Sequence, residues 1–319
     1  MLWALLADFR AWGAVHTITT LDVRLENLSL PADEIVRVAP GQHQATFSFL
    51  LAHSDAVLII APETDGILAR LSTMAEEAGI PLLGSSPAAV AIAADKAVCY
   101  QRFCQAGLPT PLTRQADLAA APQVADEIGY PLVVKPLDGV GCEGVCLVTG
   151  PAGLVDALTL LRHTTCQETI LLQNFVAGTP ASVSLLVAEG RALSLSLNGQ
   201  EIKVGCPFTY RGGLVPLTHP AEARAFEVAQ AAVGLVPGLR GYVGVDLVLA
   251  QEEVFLMEIN PRLTTSYIGL RQVLHLNLAQ AIWDACRRGV LPAKAPLSGQ
   301  VAFAKDQLSH PDLLRDSFA

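Results

Sequence analysis

The chain of 319 residues is 51% hydrophobic, only 6% aromatic and 16% charged, with a formal net charge of −9. That length holds two or three domains with sizeable cores, and the acidic balance speaks against nucleic acid or an anionic membrane surface as the main partner. Many Ala, Leu and Val residues beside few aromatics suit an α/β protein with buried parallel strands.

In chain order, LWALLADFRAWG reads as an amphipathic helix, VHTITTLDVRL as a strand and DAVLIIAPE as a buried strand. TDGILARLSTMAEEAG then forms a helix closing on Gly79, and IPLLG a short strand. Such alternation predicts a doubly wound parallel sheet with helices on its faces. A domain of that kind normally opens on a strand, whereas this chain opens on a helix, so the first strand is missing from the sequence or supplied differently. Ser86-Pro87 supplies an N-cap and a proline at the first helical position, starting one helix that runs to Gly107.

LPTPLT is a proline-rich connector and marks a domain boundary. A smaller α+β unit follows: a helix from Leu118 to Gly129, the strand YPLVVKP, a glycine loop, the strand CLVTG, a helix from Gly153 to His163, and the strand TILLQNFV. Beyond it, ASVSLLVAEGRALSLSLN is a hairpin turning at Glu189-Gly190, Ala221 to about Val236 is a helix, and YVGVDLVLAQEEVFLMEINPRL is a second hairpin turning at Gln251 to Glu253. A helical region closes the chain. The expected division is an α/β unit over 1–85, a lid with its linker helix over 86–178, and a C-terminal unit over 179–319.

Gly139, Gly141 and Gly144 spell G-x-G-x-x-G, the dinucleotide fingerprint. The fingerprint needs a helix directly after the glycines, because the helix N-terminus holds the pyrophosphate. Here VCLV follows, a short β-branched and apolar run that reads as a strand. A strand, glycine loop, strand unit is a flap whose backbone N–H groups fold over phosphates, which argues against a dinucleotide oxidoreductase.

The second informative stretch is VDLVLAQEEVFLMEINPR. Residues i and i+2 of a strand share a face, so Glu258 and Asn260 point the same way, Arg262 continues the row, and Asp246 comes from the neighbouring antiparallel strand. Acids near a hairpin are usually solvated rim residues, yet these lie within a strongly apolar strand, where a carboxylate without a cation is costly. Asp246, Glu258 and Asn260 are therefore candidate oxygen ligands of Mg²⁺, which takes few protein groups when phosphates complete its octahedron. Lys135 ends an apolar strand just before the glycine loop, within reach of phosphate oxygens, and Lys96 follows Asp95. Taken singly, each lysine is better explained as a snorkelling surface residue than as a ligand, and Lys135 is the stronger candidate because VVKP buries its neighbours on both sides.

Asp-Lys at 95–96, Val-Val-Lys-Pro at 133–136, the glycine loop at 138–145, Gln-Asn-Phe-Val at 173–176 and Glu-Ile-Asn-Pro-Arg at 258–262 occur in an order that resembles the ATP-grasp superfamily. The resemblance implies an ATP-grasp fold preceded by an α/β domain. It implies that Lys96 and Lys135 contact ATP, that the loop of Asp138, Gly139, Val140, Gly141, Gly144 and Val145 closes over the phosphates, and that Gln173, Asn174, Phe175 and Val176 line the adenine. It further implies that Asp246, Glu258 and Asn260 hold Mg²⁺ (two ions, or Mn²⁺ in their place), and that Arg262 steadies the transferred phosphate or acyl phosphate. Many family members carry an acidic ribose ligand in a G-x-E pattern where this chain has Gly178-Thr179-Pro180, so no ribose ligand is assigned. DGVGCEG, GTPASVSLL and YRGGLVP look like the tyramine–glutamate ligase branch of methanofuran biosynthesis. That likeness implies a carboxylate–amine ligase joining glutamate to tyramine or tyrosine through an acyl phosphate.

For the acid substrate, Lys203 and Arg211 form a basic pair beside glycines in an otherwise acidic chain and suit a dicarboxylate, while Tyr210 suits an aromatic amine. An exposed loop pair explains Lys203 and Arg211 equally well. The rival to a ligase is an ATP-binding regulatory or degenerate relative, which usually loses a metal carboxylate. Seven cysteines, an odd number without framework spacing, point to a reducing compartment rather than a disulfide scaffold, and Cys142 and Cys146 read as small hydrophobes. With no apolar run long enough to span a membrane and no basic start for a signal peptide, the expected location is the cytoplasm, and the expected partners are small molecules and a second copy of the chain.

Overall fold

The computed structural model describes residues 1–305 apart from 26, 138, 165–167 and 252. Asp138, expected among the residues over the phosphates, lies outside the described residues. The amphipathic opening forms α1 (Leu2–Trp12), which closes on Gly13 in the left-handed conformation. It is followed by two parallel strands, β1 (Ile18–Asp22) and β2 (Glu34–Val38), and by α2 (His43–Leu51). The run DAVLIIAPE, expected as a buried strand, forms no strand and is only half-buried from Ala56 to Ala61; it carries one ladder contact, the parallel bridge Val57–Leu82, which is also all that IPLLG contributes. Continuous apolarity favours packing against other elements and does not by itself specify strand pairing. Helix α3 (Ile67–Glu77) forms as expected.

The single helix expected from Ser86 to Gly107 is two. Ser86 caps α4 (Pro87–Ala94), its Oγ accepting from the Ala89 amide at 3.2 Å. Asp95 then leaves helical geometry (φ −86°, ψ 98°) and caps α5 (Lys96–Gln105) by accepting from the amides of Ala97 and Val98 at 2.9 and 3.0 Å. An aspartate in a helix interior competes for backbone donors, and here it breaks the helix to satisfy them. Lys96 consequently sits at the first turn of α5, turned into the site.

The lid is a four-stranded antiparallel sheet in the order β3 (Thr113–Asp117), β6 (Thr169–Asn174), β4 (Leu132–Pro136), β5 (Cys146–Val148). Helices α6 (Ala121–Ile128) and α7 (Pro151–Thr164) bury Ala125, Leu154, Ala157 and Leu161 against it. A strand, not a helix, thus follows the glycine loop. The C-terminal unit is a six-stranded antiparallel sheet in the order β11 (Glu253–Asn260), β10 (Gly241–Ala250), β7 (Thr179–Ala188), β8 (Arg191–Lys203), β9 (Thr209–Val215), β12 (Val301–Ala304). Glu189 (φ 50°) and Gly190 (φ 74°) make the tight β7–β8 turn that was read from the sequence.

Both faces of that sheet are covered. On one, α8 (Glu222–Gly234) and α4 pack on Val183, Leu185, Val245 and Leu247. On the other lie α9 (Ser266–Val273), α10 (Leu278–Arg288) and α1. Asp8 ties α1 to α9: Arg271 Nε and Nη2 donate to its Oδ1 at 2.9 and 2.6 Å, and Tyr267 Oη donates to its Oδ2 at 2.6 Å. Burial first, and then the charge of Asp8, raise the Tyr267 phenol well above its usual value.

One expectation about the cysteines is overturned. Cys146, on β5 of the lid, is bonded to Cys206 in the β8–β9 connection of the C-terminal sheet. The two segments also share backbone hydrogen bonds, Leu147 N–H to Gly205 O at 2.8 Å and Phe208 N–H to Val145 O at 2.7 Å. A pair separated by 60 residues has no local signature. Cys99, Cys104, Cys142 and Cys286 carry free thiols. Among the described residues no helix is long and apolar enough to cross a membrane.

Candidate functional site

Lid and C-terminal sheet face each other across a cleft with an empty volume of about 1000 Å³. Lys135 enters from β4, at the edge of the lid core, and is only 7% exposed. Its Nζ donates to Gln173 Oε1 at 3.0 Å, and Gln173 Nε2 in turn donates to Thr113 Oγ1 at 2.8 Å. Three neighbouring lid strands therefore orient one ammonium. Burial lowers the Lys135 pKa to about 8, offset in part by the charge of Glu258. Lys96 donates to the carbonyl of Gly139 at 2.8 Å and pairs with Glu258 Oε2 at 3.3 Å, linking α5, the glycine loop and β11.

Asp246 and Glu258 are direct cross-strand partners of β10 and β11, as the hairpin spacing required. Gln200 Nε2 donates to Asp246 Oδ1 at 3.0 Å and Asn260 Nδ2 to Oδ2 at 3.2 Å. Burial, then the neighbouring Glu258 charge, raises the Asp246 pKa to about 7. Burial pushes Glu258 the same way, but Lys96 and Lys135 outweigh it and hold Glu258 below its ordinary value. A quarter of the Glu258 side chain remains open, so the pair sits on a cleft floor and not inside a core.

Such a pair fits Mg²⁺. Two carboxylates that repel each other in a poorly hydrated floor, burial and the Glu258 charge raising the pKa of one of them to about 7, form a hard-oxygen donor set with room for phosphate and water. Metal binding must displace the Asp246 proton. Apparent Mg²⁺ affinity is thus expected to fall about tenfold per pH unit below about 7 and to level off above it. Calorimetric titration with Mg²⁺ or Mn²⁺ from pH 5.5 to 8 checks this, and a flat profile contradicts it. Without metal the sign for stability is the reverse. Between the unfolded value of 3.8 and the folded value of about 7, the folded state holds a proton the unfolded state has released, so this group's contribution declines as pH rises.

The remaining expected residues divide. Gln173, Asn174, Phe175 and Val176 line the cleft beside Val133, Pro180, Leu247, Val248 and Met257, a mostly apolar slot. Gly139, Gly141 and Val145 line the same cleft, and Val140 and Gly144 border adjoining hollows. Gly141 (φ 64°) and Gly144 (φ 69°) hold left-handed conformations that let the loop double back between β4 and β5. Arg262 is held aside, its Nε donating to Glu63 Oε2 at 2.7 Å.

Lys203 and Arg211 are exposed, and alternation along β8 gives the cleft to Gln200, Ile202 and Val204 instead. Neither basic residue lines this cleft. Tyr210 faces a second hollow beyond the flap, with Cys142, Phe208 and Lys305, and its hydroxyl accepts from Thr265 Oγ1 at 2.9 Å. Sequence reasoning missed Glu63, Thr113 and Gln200. The period-2 polar row Asn198, Gln200 was a usable signal for the last, while Glu63 and Thr113 had none beyond standing next to apolar runs.

Comparison with known proteins agrees with this geometry. The ATP-grasp domain model matches residues 93–266 and the pre ATP-grasp 3 domain model residues 15–90. Tyramine–L-glutamate ligase of Methanocaldococcus fervens is 35% identical over 217 residues, 68% of this chain and 62% of that protein, so the chain spans under two thirds of that relative's length. D-alanine–D-alanine ligase of Nitratidesulfovibrio vulgaris is 32% identical over 79% of this chain and 78% of its own. The crystal structure of a biotin carboxylase–β,γ-ATP complex from Campylobacter jejuni superposes with a TM-score of 0.78 at 18% identity, covering 93% of this chain and 71% of that one. L-amino acid ligase from Bacillus licheniformis gives 0.72 at 18% identity over 90% and 71% of the respective chains. At such identities the superpositions speak for the fold alone. The family model takes in the glycine loop, both cleft lysines and both carboxylates, and over more than half of its length the chain belongs to the ATP-grasp family.

Proposed function

We propose that the chain is an ATP-dependent carboxylate–amine ligase that joins L-glutamate to an aromatic amine such as tyramine or tyrosine. The observation that carries the reading is the convergence of Lys96, Lys135 and the glycine flap on the Asp246–Glu258 pair, with an apolar base-sized slot beside them. A regulatory relative has no use for both carboxylates at this cost in desolvation. Amide formation from a free carboxylate and an amine needs an energy source. In the proposed course a carboxylate oxygen attacks the γ-phosphorus of ATP, giving an acyl phosphate and ADP. The neutral amine then attacks the acyl carbon, phosphate leaves with the bonding pair, and the surplus proton passes to solvent.

The chain's own part is positioning and electrostatics. Asp246, Glu258 and Asn260 would hold Mg²⁺, which when bound neutralises charge on the phosphates. Lys135, fixed by Gln173, meets the phosphate oxygens, and the flap keeps water from a hydrolysable intermediate. The exposed positions of Lys203 and Arg211 leave the acid substrate to groups nearer the carboxylates. Tyr210 and Phe208 offer aromatic surface for the amine.

The test is incubation with Mg-ATP, L-glutamate and tyramine or tyrosine, followed by chromatography and mass spectrometry. ADP formed together with a γ-glutamyl amide is the expected result. ADP with other acid–amine pairs alone removes the glutamate assignment, and nucleotide binding without any ADP removes the ligase.

A further inference from the structure

The disulfide between Cys146 and Cys206 joins two units that each have an apolar core of their own. The lid packs Leu132, Val134, Leu161 and Leu172 into its interior, and the six-stranded sheet is covered on both faces by helices. A staple within a small domain compensates for a thin core, whereas this bridge lies in neither interior. It is selective as well, since Cys99, Cys104, Cys142 and Cys286 carry free thiols.

Its position relative to the cleft is what matters. The chain enters the lid at β3 and leaves it at β6, adjacent strands whose ends Thr113 and Gln173 are paired. Cys146 lies on β5, the opposite edge of the lid sheet. The lid is thus tethered by its chain along one edge and bonded to the body along the other, with the nucleotide cleft between. The glycine flap runs directly into β5. Val145 lines the cleft from the lid, and Val204 and Phe208, on either side of Cys206, line it from the body. Apart from the bridge, β5 and the β8–β9 connection are clipped by two backbone hydrogen bonds, from Leu147 to Gly205 and from Phe208 to Val145. Such bonds open and exchange with water readily, and a covalent link beside them keeps their partners at high effective concentration, so that they re-form at once.

We infer that the Cys146–Cys206 bridge is a redox-controlled clasp on the lid. Oxidised, it holds the far edge of the lid on the C-terminal sheet and slows exchange of nucleotide. Reduced, it frees that edge to swing about the strand ends at Thr113 and Gln173. The inference needs only a nucleotide in the cleft and is independent of the substrates to be joined.

Cys206 is exposed, which admits a thiolate from solution. One thiolate of a dithiol reductant attacks Cys206 Sγ, the S–S bond breaks, and its electron pair goes to Cys146 Sγ, which takes up a proton. The second thiolate attacks the mixed disulfide, releasing Cys206 as a thiol and the reductant as a cyclic disulfide, so two electrons pass to the protein. A disulfide oxidant reverses the sequence. Cys142, in the flap, does not compete as a nucleophile, because burial pushes its pKa up to about 12 and keeps it protonated near neutrality.

The test follows release of N-methylanthraniloyl-ADP, bound with Mg²⁺, from the full chain equilibrated in oxidised glutathione or in dithiothreitol. Excess ADP starts the release, stopped-flow fluorescence records it, and non-reducing peptide mapping scores the Cys146–Cys206 link in each sample. Release is expected to be at least about tenfold faster from the reduced protein, with faster hydrogen exchange in the peptides that carry Leu147 and Phe208. Cys206→Ser, at an exposed position, is expected to release at the fast rate in both buffers. The comparison of the two wild-type forms stands even if that variant does not fold. Equal release rates from the two wild-type forms overturn the clasp. So does a difference that survives in Cys206→Ser, which would belong to another thiol, and so does an oxidised sample without the Cys146–Cys206 link.

Discussion

Glu258→Ala and Lys135→Ala proteins are expected to fold and to form ADP about 10²- to 10³-fold more slowly than the wild type, the loss typical of removing one preorganised charge from a phosphoryl-transfer site. Glu258 answers to two lysines at once: Lys96 lies 3.3 Å from it, and its charge raises the pKa of Lys135. Without it both ammonium groups lose their compensating charge, and Asp246 is left as the single carboxylate for a metal. The substitution has a second signature. Lys135 already stands near 8 because of burial, so removing the charge that holds it up is expected to bring its deprotonation, and the alkaline limb of activity, to lower pH. Steady-state ADP release between pH 6 and 9, with a denaturation curve for each variant, checks both. Wild-type turnover in either variant, or an unmoved alkaline limb in Glu258→Ala, contradicts the assigned roles.

Asp8→Ala carries the largest expected effect on stability. Its carboxylate receives three hydrogen bonds, two from Arg271 and one from Tyr267, inside the contact between α1 and the C-terminal helices. The ion-paired side chains are only 13% (Arg271) and 10% (Asp8) exposed. Breaking a buried ion pair and its hydrogen bonds by removing one partner costs about 3–5 kcal/mol. Urea unfolding monitored by fluorescence measures the loss. Asp8→Asn, which keeps shape and an acceptor but not the charge, is expected to fall between the two. A change under about 1 kcal/mol in Asp8→Ala would mean that α1 is held by apolar packing alone.

Local features were legible because their causes lie within a few residues. Chain direction reverses at Glu189-Gly190 because positive φ is cheap there. The glycine loop is followed by a strand because the run after it is too short and too β-branched for a helix, and that alone separated a phosphate flap from a dinucleotide turn. The period of 2 along β11 brought Glu258 and Asn260 to one face, and the hairpin brought Asp246 opposite. The apolar slot around Phe175 and Val176 followed from position along the chain and from family likeness, not from periodicity.

Other features were settled by partners far away in sequence. Asp95 split a helix that periodicity would have continued, because its carboxylate found two amide donors just ahead of it. DAVLIIAPE stayed out of a sheet, its apolar residues half-buried against neighbouring core clusters with a single bridge to Leu82. Cys146 met Cys206, and Lys203 turned away from the cleft, through the register of whole sheets. Thus the sequence by itself determined the turns, the strand after the glycine loop and the shared face of Asp246, Glu258 and Asn260, which depend on backbone preference and short-range spacing. Only the tertiary structure decided that Asp8 lies against Arg271 and Glu63 against Arg262. Ion pairs spanning about 200 residues or more have no local energy to announce them and exist because the packed core brings their elements together.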